Sequence, residues 1–320
     1  MAPIPKSRAP RNKTLTISER EIEAFRHRLV RLSDSTPLDA VLDRTIEGDT
    51  LETLPHLPEQ FVNLMVVDPP YNLTKSFNGT VFRRGSLTAY EEWLDRWIQG
   101  ALRLLKPNAS VYICGDWQSS TAIHRVCEKY FTVRNRISWE REKGRGARSN
   151  WKSCTEDIWF CTVSQDYCFN VDAVKMKRRV LAPYRDQARK PKDWQTEKNG
   201  NFRVTYPSNF WSDISIPFWS MPENTDHPTQ KPEKLVAKLL LASSEPGDVV
   251  FDPFLGSGTT SVVAKKLGRR YVGIEKELKY CCIAEKRLAH TGSHPKIQGY
   301  AGGYFWERNT LAAQKKAQKS

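Results

Sequence analysis

The sequence predicts an α/β fold, a mostly parallel sheet with helices on both faces that carries an inserted basic region. Three observations point there. Short apolar runs of strand length alternate with segments whose apolar residues recur every three or four positions. This alternation fills two blocks, separated by a stretch in which periodicity fades and basic residues accumulate. In the second block a strand runs into a glycine-rich turn that opens a helix, a joint at which a ligand can approach the backbone.

The elements follow in order. Residues 1–35 mix prolines with basic residues around one short helical stretch, Ser18 to Leu32, and read as a basic arm, mobile or loosely docked. The first half of the α/β domain spans 36–140, its compact part beginning near Ile46. The apolar run Val62 to Val67 is a buried strand, stopped by Pro69 and Pro70. Tyr90, Leu94, Trp97, Ala101 and Leu104 mark one face of a helix, which Lys106-Pro107-Asn108 is expected to close. A strand at Ser110 to Cys114, a helix at Ser119 to Tyr130 and strands at Val133 to Trp139 and Asp157 to Thr162 complete this block. Regularity returns in 226–290: a helix Lys231 to Ser244, a strand Val249 to Phe251, a helix Thr259 to Leu267, a strand Arg270 to Ile274 and a helix Glu277 to Leu288. The basic tail, 291–320, is expected to fray.

Charge narrows the partners. Fifty Lys and Arg against 36 Asp and Glu leave a formal charge of +14, which favours phosphate polymers. Half of that excess lies between Arg141 and Arg203, where 15 basic residues face 8 acidic ones. Within it Arg141, Lys143, Arg145, Arg148 and Lys152 form a glycine-interleaved cluster suited to phosphates and base edges, and 141–225 is read as a nucleic-acid recognition region. Six of the ten tryptophans fall between Trp139 and Trp219; Trp159 and Trp211 read as structural, and Trp151 and Trp194 remain open. Seven cysteines, mostly in apolar segments, read as reduced core residues. No Cys-x-x-Cys spacing occurs, and no metal site is expected. No apolar run reaches membrane-spanning length and the N-terminus lacks a secretory signal, so a soluble cytoplasmic protein is expected.

Two motifs carry chemistry. Val249-Val250-Phe251-Asp252-Pro253-Phe254-Leu255-Gly256-Ser257-Gly258-Thr259 is a strand, a small-residue turn and a helix start, and Glu275 follows at the end of the next strand, 19 residues after Gly256. A carboxylate so placed suits ribose hydroxyls. Ser261 stands where a dinucleotide fingerprint has its third glycine, and there is no phosphate loop, so NAD and ATP lose ground. The second motif is Asp68-Pro69-Pro70-Tyr71 at the end of the first buried strand. An aromatic amine is a poor nucleophile because its lone pair is delocalised; a carboxylate and a rigid carbonyl that accept its hydrogens localise the lone pair and stabilise the charge that develops. Tyr71 adds a face on which an extruded base can stack.

With these residues in this order the chain resembles the beta class of DNA amino-methyltransferases, from about Ile46 to Leu288. In that class the Asp/Ser-Pro-Pro-Tyr motif precedes the glycine turn, and His227-Pro228-Thr229-Gln230-Lys231-Pro232 matches the motif between them. The resemblance implies a Rossmann-like methyltransferase fold, S-adenosyl-L-methionine as cofactor and double-stranded DNA as substrate in a nucleoid-associated setting. It implies Asp68, Pro69, Pro70 and Tyr71 at the target base. Asp49, His227, Thr229, Gln230, Lys231, Asp252, Phe254, Gly256, Ser257, Gly258, Thr259 and Glu275 would surround the cofactor, with Lys231, near a helix N-terminus, expected to face an anion such as the cofactor carboxylate. Asp as the first residue of the catalytic tetrapeptide implies adenine N6 as target, with cytosine N4 as the alternative. A homodimer and a cognate restriction endonuclease encoded nearby stay open as further partners.

Other classes fit less well. A C5-cytosine methyltransferase needs a cysteine nucleophile, usually after proline, and no Pro-Cys pair occurs; a base deaminase needs His-x-Glu and Pro-Cys-x-x-Cys. An RNA or protein amide methyltransferase normally has its glycine motif first. An inactive DNA-binding relative has no need of intact Asp68, Tyr71 and Glu275.

Overall fold

The computed structural model describes residues 9–73, 75–77, 80–82, 85–141, 150–180, 184–191, 194–197, 200–308, 310 and 314, the side chains of 75–77 and 80–82 excepted. The first half contains α1 (Glu19–Arg26), α2 (Leu38–Val41), β1 (Arg44–Glu47), α3 (Thr50–Thr53), β2 (Val62–Val67), the hairpin β3 (Lys75–Phe77) and β4 (Thr80–Phe82), α4 (Leu87–Leu102), β5 (Leu105–Gly115), α5 (Ser120–Tyr130), β6 (Thr132–Glu140) and β7 (Thr155–Thr162). The short strands β8 (Met176–Arg179), β9 (Gln195–Glu197), β10 (Gly200–Thr205) and β11 (Phe210–Trp211) follow. Then come α6 (Glu233–Ser243), β12 (Val249–Asp252), α7 (Thr259–Lys266), β13 (Arg270–Glu275), α8 (Leu278–Ala289), β14 (Tyr300–Ala301) and β15 (Tyr304–Trp306).

Eight strands form one sheet in the order β1-β13-β12-β2-β5-β7-β6-β11. The first five are mutually parallel, and β7 is antiparallel to both β5 and β6. Both faces are buried, so the strands read as continuous apolar runs instead of alternating with polar residues. Met65 and Val67 of β2 pack with Val111, Ile113, Phe251 and Val272 under α4 and α5. Leu64, Val66, Tyr112 and Val250 face the other way, beneath α6 and α7. Burying one such side chain contributes about 1.5–3 kcal/mol, and the two layers hold the strand ends in fixed register.

Helix α4 ends at Leu102, earlier than Lys106-Pro107-Asn108 suggests. Those residues lie at the start of β5, where Leu105 pairs with Val62 but Ser110 already pairs with Leu64. The irregularity bulges 106–109 out of the ladder, which accommodates a proline without a backbone donor.

The C-terminal segment differs from expectation, and the N-terminal arm takes the docked alternative. The tail does not fray at 300–306: β14 and β15 join β8, β10 and β9 in a five-stranded sheet, with Phe305 and Trp306 buried. These apolar side chains find a partner surface that local sequence does not reveal. The N-terminal arm is docked, because α1 packs on α8 through Lys286 and Glu21, and Leu15 and Val30 bridge to Thr225 and Ile46. Lys234 and Lys238, one turn apart on α6, both reach Asp213 and tie the segment before α6 to the sheet. Among the described residues, no helix is long and apolar enough to cross a membrane.

Candidate active site

The parallel strands β1, β13, β12, β2 and β5 end along one edge of the sheet, where open α/β sheets bind ligands. Because β7 runs antiparallel, its first residues reach the same edge: Asp157 pairs with Gly115, the last residue of β5. The end of β6 arrives there too, with Glu140 opposite Thr155.

Asp68-Pro69-Pro70-Tyr71 leaves β2 at this edge. Asp68 Oδ1 accepts the Tyr71 hydroxyl at 2.8 Å and faces Lys231 Nζ at 2.7 Å. Among the described residues no partner reaches Asp68 Oδ2, and the side chain remains 24% exposed. The two prolines differ: the Pro70 carbonyl accepts the Tyr90 hydroxyl at 3.1 Å, whereas the Pro69 carbonyl accepts no hydrogen bond from a described residue. Burial, with Asp68 and Glu156 beside it, pushes the Tyr71 phenol well above its usual range, keeping it a neutral donor.

Lys231 is the centre of a buried charge cluster. Its ammonium lies 2.7 Å from Asp68, 3.2 Å from Glu156 and 3.1 Å from the Tyr71 hydroxyl. Burial disfavours its charge, but the two carboxylates outweigh burial and raise its pKa. The anion that the sequence expects near this lysine is thus supplied from within the chain, by Asp68 and Glu156. Glu156 is the residue that sequence reading missed. Its other oxygen meets Arg141 Nη1 at 2.6 Å, so this guanidinium, assigned to DNA by the sequence, is held by a buried carboxylate.

The glycine turn connects β12 to α7. Gly256 and Gly258 have φ of 56° and 82°, a region other residues rarely adopt. A Cβ on Gly256 would lie 3.2 Å from His227 Nε2, and one on Gly258 only 2.5 Å from Ala284 Cβ, so the turn is a cradle that side chains would fill. Asp252 is buried, with Oδ2 on the Thr260 hydroxyl at 2.6 Å and Oδ1 on the Phe254 amide at 3.0 Å. Phe254 leans against Trp93 and Trp97, with ring centres 5.5 and 5.4 Å away. Arg287 holds the far side, donating to the Ser257 carbonyl at 2.9 Å and to Thr259 Oγ1 at 3.0 Å.

Glu275 ends β13 beside this turn and accepts the Gly256 amide at 2.9 Å. Asp49 follows β1 on the same edge, caps α3 through the Leu51 amide at 3.0 Å and pairs with Lys276 at 3.1 Å. His227 packs edge-on against Tyr280, and burial, with Lys231 and Arg287 nearby, lowers its pKa to about 4, so it is neutral at ordinary pH. Thr229 lies beside it, its amide 3.4 Å from His227 Nδ1. Gln230 braces its own loop: it accepts from the Thr225 amide and hydroxyl and donates to the Glu223 carbonyl.

The structure therefore gathers the tetrapeptide, the glycine turn, Glu275, Asp49, His227 and Lys231 along one sheet edge. These residues fit a nucleoside-bearing ligand: a turn left free of side chains by glycine, a carboxylate at the neighbouring strand end and an apolar wall at Phe254. The basic cluster is only partly in view, since Lys143, Arg145 and Arg148 lie outside the described residues and Lys152 is exposed. Trp151 is 92% exposed, while Trp194 and Trp211 are buried. Among the described residues no group of His, Cys, Asp and Glu is arranged to hold a metal.

Residues 62–286 match the family model described as DNA methylase. The chain is 35% identical over 250 residues to DNA adenine methyltransferase YhdJ of Escherichia coli (strain K12), covering 76% of this chain and 81% of that one. It is 32% identical to type II methyltransferase M.HpaI of Haemophilus parainfluenzae, covering 77% and 74%. Among solved structures, the complex of M1.HpyAVI with S-adenosylmethionine superposes with a TM-score of 0.53 at 25% identity, covering 76% of this chain and 98% of that one. A glycine cradle facing an Asp-Pro-Pro-Tyr loop across one sheet edge agrees with these likenesses, and the chain belongs to the DNA methylase family, as an S-adenosyl-L-methionine-dependent DNA amino-methyltransferase.

Proposed function

We propose that the chain methylates N6 of an adenine swung out of double-stranded DNA, with Asp68 and the Pro69 carbonyl as the acceptors of the amino hydrogens. The observation that carries this reading is the state of Asp68: Tyr71 and Lys231 fix Oδ1, while among the described residues nothing occupies Oδ2. The carboxylate is oriented and open on one side. The Pro69 carbonyl, one residue on, supplies the second acceptor, since the Pro70 carbonyl is engaged by Tyr90. Together they localise the amine lone pair and stabilise the charge that grows on nitrogen. The Tyr71 ring, backed at 5.3 Å by Lys231, offers the stacking face for the base.

When bound, S-adenosyl-L-methionine supplies an electrophilic methyl group on a sulfonium. In this reading Glu275 accepts from the ribose hydroxyls, Asp49 serves the adenine end, Gly256 to Gly258 let the backbone approach, and His227 and Thr229 line the methionine end beside Lys231. The segment 141–225 is the target-recognition region. Adenine is favoured by Asp as the first residue of the tetrapeptide and by the likeness to an enzyme named a DNA adenine methyltransferase.

Two measurements test the reading. Nucleoside mass spectrometry of DNA methylated by the chain should show N6-methyladenine; N4-methylcytosine alone would overturn the choice of base and leave Asp68 standing. Asp68→Ala should abolish turnover while cofactor and DNA affinities stay within about threefold, because its work is done in the transition state. Near-normal turnover in that variant removes the central assignment.

A further inference from the structure

We propose that Glu156 is a positioning residue for methyl transfer: it shares Lys231 with Asp68 and so keeps Asp68 available to the target amine. The proposal rests on the reading of Asp68 as amine acceptor. It begins with a charge count at the sheet edge. Arg141, Glu156, Lys231 and Asp68 form a chain of alternating sign, with separations of 2.6, 3.2 and 2.7 Å. The Glu156 side chain is 6% exposed and that of Lys231 10%, so water screens neither well. The four charges sum to zero. Of the other titratable groups nearby, the Tyr71 phenol, the Cys114 thiol, raised by burial, and His227 are neutral, and burial pushes the Asp252 carboxyl up to about 7.

Each side chain arrives from a different element. Asp68 and Tyr71 follow β2, Glu156 begins β7, Arg141 follows β6 and Lys231 precedes α6. Antiparallel pairing of β7 with β5 and β6 brings Glu156 to the edge where the parallel strands end. Glu156 is held ionised: burial alone would raise its pKa, but Lys231 and Arg141 outweigh burial and bring it below the ordinary glutamate value. Its Oε2 lies 3.2 Å from the ammonium and 3.4 Å from the Tyr71 hydroxyl, so it contacts both groups that hold Asp68 Oδ1.

The consequence is electrostatic. With Glu156 present, Lys231 divides its attraction between two carboxylates. With glutamine in its place, the whole ammonium falls on Asp68, and the cluster carries a net positive charge where the amine nitrogen becomes positive in the transition state. Such an imbalance opposes the charge that the site must stabilise. It acts on the chemical step, because substrate in the ground state carries no such charge. Arg141 completes the balance, serving as counter-ion to Glu156 at the entrance to the basic segment 142–149.

The test uses the full chain, S-adenosyl-L-methionine and unmethylated genomic DNA. E156Q keeps size and hydrogen-bonding capacity but removes the charge; kcat should fall roughly 10- to 100-fold, with KM for DNA and the cofactor dissociation constant within about threefold of the parent. E156D restores the charge at a longer reach and should recover part of the lost kcat. Equal kcat in E156Q and the parent overturns the proposal, as does a loss that appears only in KM. Should E156Q lose its cooperative melt, E156D decides alone: a lowered kcat at unchanged KM supports the role, and parental kcat removes it. Asp68→Ala separates the two levels. If that variant is inactive while E156Q behaves as the parent, only the role of Glu156 fails; if Asp68→Ala still turns over, the underlying reading fails with it.

Discussion

Glu275 Oε2 accepts the backbone N–H of Gly256 at 2.9 Å, while Oε1 accepts that of Glu277 at 2.8 Å. The carboxylate therefore locks the glycine turn of β12 to the end of β13 in addition to facing the proposed ribose position. Burial raises its pKa and the two amides pull the other way.

Glu275→Ala should then weaken the cofactor twice over, through the lost ribose acceptor and through a loosened turn. A hydrogen bond to a charged group contributes about 1.5–3 kcal/mol, so calorimetry should register a dissociation constant raised roughly 10- to 100-fold. Glu275→Gln, which keeps one oxygen for the Gly256 amide, should lie between. An unchanged constant in the alanine variant would remove Glu275 from the cofactor site.

Asp252 gives a prediction in pH. Burial first, with Asp68 and Glu275 adding to it, raises its pKa from 3.8 to about 7 against the opposing bonds from Thr260 and Phe254. A carboxyl whose folded pKa lies above its unfolded value contributes stability that is full below about 4 and is lost as pH rises through about 7. The shift corresponds to roughly 4 kcal/mol, at about 1.4 kcal/mol per unit. Asp252→Asn does not titrate and can serve the same two partners. Its melting temperature relative to the parent, measured without cofactor, should rise between pH 5 and pH 8. A difference that stays flat across that range would mean Asp252 is already ionised at pH 5.

Legibility in the sequence followed the range of the interactions. The Val62 to Val67 strand, the proline stop after it and the glycine turn announce themselves within a dozen residues, because burial on two faces demands apolar runs and positive φ demands glycine. Glu156 lies 85 residues from the Tyr71 hydroxyl it contacts, in a strand whose antiparallel placement no local pattern encodes. The tail was illegible for the same reason. Trp306 is buried because β15 runs parallel to β8, a partner more than a hundred residues earlier. The docked N-terminus is a third instance: Ser18 and Glu21 form a capping box legible in sequence, but its seat on α8 is not.

That docked segment touches both flanks of the proposed cofactor site. Lys13 and Leu15 donate to the Trp219 and Asn224 carbonyls, just ahead of His227, and Val30 bonds to Thr45 and Glu47, just ahead of Asp49. Removing residues 1–17 deletes the first pair of contacts and leaves the second. Each hydrogen bond lost contributes about 1 kcal/mol, so the truncated chain should bind cofactor roughly tenfold more weakly. Amide exchange across 219–230 should quicken at the same time. Parental cofactor affinity in the truncated chain would confine the arm to a stabilising role.

The basic segment separates two uses of arginine. Arg141 is bound to Glu156 at 2.6 Å, whereas Trp151 and Lys152 stand exposed at the far end of the same stretch. A residue that neutralises a DNA phosphate releases a counter-ion, and each such contact adds about 0.9 to the slope of log affinity against log salt. Replacing Arg145 and Arg148 with alanine should therefore lower DNA affinity and flatten that slope by about 2. Arg141→Ala should leave the slope in place while lowering kcat, since its partner is a carboxylate of the active-site cluster and not a phosphate. Fluorescence anisotropy with labelled duplex DNA from 50 to 200 mM salt, roughly the range over which such contacts weaken most visibly, reads both effects. If the double variant keeps its affinity and its slope, segment 142–149 faces away from DNA. If Arg141→Ala flattens the slope instead, its guanidinium leaves Glu156 for phosphate when DNA binds, and the charge balance around Lys231 changes at the moment the substrate arrives.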